Sequence, residues 1–202
     1  QHYMSDLQDV FPKYAADFSD EHASKIAALL VEKIIYGPDR VCSGTELYYL
    51  IDSLDEANVN ELDTELTERL RSEPKERSKQ PLRVALLVFA SKVQPDVALR
   101  TSRLLVDILK ETKDSRAIVE YSEIVQTLST KLDEGELRLV ASTLFERFMS
   151  SVDSYEINRL GAILADLTLR LESKDVEQFV NALDRRLKTV NNRGMRGLLA
   201  EQ

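Results

Sequence analysis

Apolar residues in this chain return in register when the sequence is slid along itself by 39 positions. Leu50, Phe89, Leu128 and Leu167 fall in one column, and Leu54, Val93, Leu132 and Leu171 in another. Val59, Ala98, Leu137 and Val176 follow, then Leu66, Leu105, Leu144 and Leu183, then Leu70, Leu109, Phe148 and Leu187. A second set holds Leu47, Leu86, Val125 and Leu164, with Leu82, Tyr121, Leu160 and Leu199 beside it. No gap interrupts the columns from residue 54 onward. A fixed period of this size marks repeated supersecondary units rather than one irregular core. A shift of 36 places Ala23, Ile26, Leu30 and Ile34 in the columns of Val59, Leu62, Leu66 and Leu70, and Leu7, Phe11, Tyr14 and Phe18 half a unit earlier.

Within each unit the spacing of three and four predicts two helices. The first helix of the third unit is expected at about 96–112, on Val97, Ala98, Leu104, Leu105, Ile108 and Leu109. The second is expected at about 115–131, on Ile118, Tyr121, Ile124, Val125, Leu128 and Leu132. Asp96, Asp55 and Ser173 are candidate caps of first helices, and Asp114, Asp153 and Asn192 of second helices, since their side chains bond free N–H groups at a helix start. Links of three or four residues, such as VQPD and LDEG, fold consecutive helices back antiparallel. In the second unit RSEPKERSKQPLR, residues 71–83, predicts a longer loop than its sisters have. Pro12 argues against an unbroken helix in the opening half unit.

A helix pair cannot bury both its faces alone, and stacked pairs supply each other's missing wall. In unit length and apolar pattern, residues 7–202 resemble the HEAT-like α-solenoid repeats, built from two antiparallel helices of about 40 residues. The Trp-Leu-Gly pattern of tetratricopeptide units and the TPLH of ankyrin units are absent. The resemblance implies an all-α, right-handed α-solenoid of about four and a half helical pairs in a single repeat domain. The expected divisions are a half unit at about 5–18, units at 19–54, 55–93, 94–132 and 133–171, and a partial unit at 172–202. Because the pattern opens and stops inside second helices, a longer parent protein is expected.

Charge narrows the function. The formal net charge of −8 repels a phosphate backbone, which argues against nucleic acid as the partner. Basic residues gather only at 71–83 and 184–196, the sites an alternative nucleic-acid-binding solenoid would use. Cys42 is the single cysteine, so no internal disulfide forms, and a reducing, cytoplasmic setting is expected. No apolar run is long enough for a membrane span. The only histidines are His2 and His22, which leaves no zinc set and no partner for a cysteine nucleophile. Gly194 and Gly197 follow a helical pattern rather than a strand, so no phosphate loop is expected. The sequence predicts no cofactor, no metal and no catalytic residue. An enzyme of the HEAT-like DNA glycosylase type is the remotest alternative, since the chain is acidic and has no Trp to stack on a base.

One departure from the repeat points to a binding role. Beside the core stripe of second helices, the later units carry Gln126, Thr127, Ala165 and Asp166. The same columns hold Tyr48, Tyr49, Leu87 and Val88 earlier, and Val84 adds to them. The segment LRVALLVFA is thus apolar nearly all round, and such a helix needs a cover. Either the amino-terminal Val10, Phe11 and Tyr14 or tighter internal packing supplies it, or a protein or peptide partner docks there. The expectation is a non-catalytic protein-binding scaffold or regulatory module with Tyr48, Tyr49, Val84, Leu87 and Val88 as its partner-binding residues.

Overall fold

The computed structural model describes residues 19–36 and 43–171, and beyond these 176–177, 180–181, 184–185 and 188. It is all-α, with no strand among the described residues. The helices are α1 (Asp20–Tyr36), α2 (Ser43–Leu50), α3 (Glu56–Ser72), α4 (Glu76–Ala90), α5 (Pro95–Glu111), α6 (Ser115–Ser129), α7 (Glu134–Ser150) and α8 (Ser154–Thr168). A 3₁₀ turn, Ile51–Ser53, extends α2.

Aspartates set four of the helix starts. The carboxylates of Asp55, Asp114, Asp133 and Asp153 accept bonds from the N–H groups of Asn58, Ala117, Glu136 and Glu156, at 2.7–2.9 Å. Each satisfies one of the donors that a first turn leaves free. The expected caps Asp55, Asp114 and Asp153 are found. Asp96 is not a cap: α5 starts one residue earlier at Pro95, and Asp96 lies inside its first turn. Pro95 suits that first position, where no N–H is needed. The preceding residue, Gln94, donates its N–H to Asn60 Oδ1 at 2.9 Å and its side-chain amide to Glu56 at 3.1 Å. Ser173 and Asn192 lie outside the described residues.

The long loop expected over 71–83 is absent. Helix α3 runs to Ser72, the link is 73–75, and α4 already begins at Glu76. Pro81 therefore sits inside a helix, where its ring nitrogen gives no bond to the fourth residue back. The start of α4 is held by other means. Ser78 donates its N–H to Lys75 C=O, a tighter turn than the α-helix makes. Glu73 accepts the Lys75 N–H at 3.2 Å and an Arg69 N–H at 2.8 Å.

Contacts divide the chain into two compact units, Gln1–Leu104 and Leu105–Gln202, with the division inside α5. In the first, α1 packs on α2, α3 and α4, α2 on α4, and α3 on α4. Its core includes Val31, Ile34, Leu47, Leu50, Leu66, Leu70, Leu86 and Phe89, all closed to solvent. In the second, α6 packs on α7 and α8, and α7 on α8, around Tyr121, Val125, Leu128, Leu144, Phe148, Leu160 and Leu164. Apart from Val31 these residues belong to the apolar columns of the sequence, in which Leu132 is half-buried. Helix α1 departs from them: Ile26 and Leu30 are half-buried, while Ala27, Val31 and Ile35 turn inward beside Ala23 and Ile34. Its buried face is rotated by about one position from the expected one.

Candidate interaction face

Helices α2 and α4 pack against each other, and Val10, Phe11 and Tyr14, the alternative cover expected from the sequence, lie outside the described residues. On α2, Leu47 and Leu50 lie in the core. Positions three apart share a helix face, so the two residues between them turn outward. Tyr48 and Tyr49 are 66% and 41% exposed. Their rings meet edge to face, with centroids 5.9 Å apart and planes at 82°, an arrangement that favours aromatic pairs. On α4, Leu82, Ala85, Leu86, Phe89 and Ala90 fill the core, while Val84 and Leu87 are each 37% exposed and Val88 is half-buried. Lys92, just past α4, donates to the backbone carbonyls of Ile51 at 2.6 Å and Asp52 at 3.2 Å, which ties the end of α4 to the turn after α2. The five residues expected at a partner site thus lie on two touching helices, four of them exposed and Val88 less so.

The same columns in the second unit show what the first unit lacks. There Gln126 of α6 donates its side-chain amide to Asp166 of α8 at 2.9 Å, and a polar bridge closes the surface. In the first unit the equivalent columns hold aromatic and aliphatic side chains, which form no such bridge.

The basic cluster expected at 71–83 comes apart. Arg83 is 5% exposed and pairs with Glu76, and Lys79 pairs with the same carboxylate at 3.5 Å. Arg71 stays on the surface. Of the second basic run, only Asp184, Arg185 and Lys188 are described, and Lys188 pairs with Asp184 at 2.6 Å. Cys42, His2 and the glycines at 194 and 197 lie outside the described residues. Among the described residues no three or more His, Cys, Asp or Glu side chains gather closely enough to hold a metal ion. No described helix is long and apolar enough to cross a membrane.

The sequence reading missed one group. Asp63 of α3 is closed to solvent. Thr101 of α5 donates to its Oδ2 at 2.7 Å, and Thr67, one turn along α3, approaches the same oxygen at 3.5 Å. Its Oδ1 has no hydrogen-bond partner among the described residues. Burial raises its pKa to about 6, against the smaller opposing pull of the two hydroxyls and of Arg100. The signal was present in the repeat: Asp63 shares a column with Ser102 and Ala141, both buried.

No protein-family model matches this chain, and comparison with curated proteins found no match.

Proposed function

We propose that this chain is a protein-binding module, a scaffold or regulatory element of HEAT-like α-solenoid type, which holds a protein or peptide partner on the α2–α4 face. The observation that carries the reading is the exposure of Tyr48, Tyr49, Val84 and Leu87 on two adjoining helices. Interfaces are enriched in tyrosine, which brings a large contact area and few rotatable bonds. In the second unit the same columns hold Gln126, Thr127, Ala165 and Asp166, polar or small, so these columns are apolar only at this face.

Tyr48→Ala combined with Leu87→Glu tests the reading. Tagged full-length chain, wild type and double variant, is used to capture partners, and each captured protein is then purified and titrated against both forms. A partner that binds wild type and loses at least a hundredfold in affinity to the double variant, with helical circular dichroism unchanged, supports the proposal. A variant that loses its helical signal places these residues in the core instead. Tight, salt-dependent binding of DNA or RNA by the wild type would transfer the reading to the nucleic-acid class.

A further inference from the structure

Asp63 is a carboxyl group buried between two helices with half of its hydrogen-bonding capacity unused. Its Oδ2 takes the Thr101 hydroxyl of α5 at 2.7 Å, and the Thr67 hydroxyl of α3 lies 3.5 Å from that oxygen and 3.5 Å from the Thr101 hydroxyl. Among the described residues no protein group donates to Oδ1. Among the described residues no basic side chain forms an ion pair with it, and the field of Arg100 of α5, whose exposed guanidinium lies 3.7 Å from Asp96, favours its ionised form. From α1 and α4, the other helices packed on α3, no hydrogen bond or ion pair to it is formed among the described residues.

Threonines 67 and 101 also line a cleft of about 200 Å³, with Thr64, Val97 and Leu104. Glu68 and Arg71 of α3 and Arg100 of α5 stand around it. A cleft of this volume is roomy enough for several water molecules, each of which occupies about 30 Å³ in the liquid. Water and protons therefore have an approach to the very hydroxyls that hold the carboxyl group.

The two protonation states make opposite demands on this arrangement. A neutral carboxyl group has no net charge to solvate, and its acceptor oxygen is served by Thr101. An ionised one carries a full charge with one strong donor and one distant one, in surroundings that give its second oxygen nothing. Ionised groups left in that condition draw in water or shift apart from the wall that excludes it. We infer that Asp63 is a proton-operated latch, which holds α3 closed on the first half of α5 when protonated and loosens that contact when it ionises. The device works across mildly acidic to neutral pH and needs no ligand.

The experiment is hydrogen exchange of the full-length chain at pH 5.0 and pH 7.5, with uptake corrected for the intrinsic effect of pH. Peptides spanning residues 95–104 are read against peptides from α8. In wild type, protection over 95–104 is expected to fall about tenfold or more between the two pH values, beyond any change in α8. Asp63→Asn, which keeps shape and removes the charge, is expected to abolish that difference. Equal protection in wild type at both pH values, or a difference that Asp63→Asn leaves in place, overturns the latch. Should Asp63→Asn fail to fold, Thr101→Val serves. It removes the hydroxyl that stabilises the ionised form, so the midpoint of the protection change moves to higher pH. An unmoved midpoint overturns the proposal as firmly.

Discussion

At the scale of single residues, Asp63 shows how far pattern reading extends. The stripe Val59, Leu62, Leu66 and Leu70 was legible because apolar residues announce a buried face, and all four are buried. Asp63 lies on the same face, yet a charged residue reads by default as solvated. Only its column, shared with Ser102 and Ala141, distinguishes it. Burial without an ion pair has a consequence for stability with a definite sign. The native pKa is raised from 3.8 to about 6, so the folded state binds the proton more tightly than the unfolded state does. The stabilisation from protonation is complete below about pH 3.8 and is lost as pH rises through about 6. At pH 7.5 the ionised carboxylate is a burden that Asn does not impose. Asp63→Asn is therefore expected to stabilise the chain at pH 7.5, by on the order of 2 kcal/mol, and to have little effect near pH 3.5. Urea unfolding of both forms at the two pH values measures it. An equal effect at both would place the cause in packing and not in charge.

At the scale of elements, the two helices of the third repeat and the starts at Asp55, Asp114 and Asp153 were legible, because an aspartate followed by apolar residues at helical spacing fixes a first turn. Helix α6 begins at the expected Ser115 behind the Asp114 cap. The repeat at 55–93 misled because its cap column holds Lys75, whose side chain makes no capping bond, and because Pro81 reads as a helix breaker. Packing overrode both. Leu82, Ala85, Leu86 and Phe89 bury a full face, and the salt bridges of Glu76 with Lys79 and Arg83 bind the first two turns together. Propensity is a weak prior against burial on that scale. The residual cost should still be measurable. Pro81→Ala restores an N–H where an α-helix expects one, and is predicted to raise stability by about 1–3 kcal/mol. A variant no more stable than wild type in urea would mean that the turn at Ser78 has already absorbed the missing bond.

At the scale of the whole molecule, the apolar columns mark what the fold needs, and the candidate face stands out as what the columns leave over. Phe89 and Tyr48 are adjacent cases of this division. Phe89 belongs to a column that runs from Leu50 to Leu167 and has no exposed surface. Tyr48 belongs to a column that becomes Leu87, then Gln126, then Ala165, with no constant demand for an apolar group, and it is 66% exposed. The sequence showed the second column to be unusual. It did not show which side of the helices the tyrosines occupy, since the cover for such a face is a long-range matter that local spacing does not encode. The two positions should therefore respond in opposite ways. Phe89→Ala empties part of a packed core and is expected to cost about 3–5 kcal/mol in unfolding free energy. Tyr48→Ala removes a side chain that mostly meets water, and is expected to change stability by no more than about 0.5 kcal/mol while weakening partner binding. Denaturation of the two single variants decides the matter before any partner is in hand. A loss of several kcal/mol from Tyr48→Ala would mean that the ring carries structural packing, and the α2–α4 face would then have to be read as part of the core.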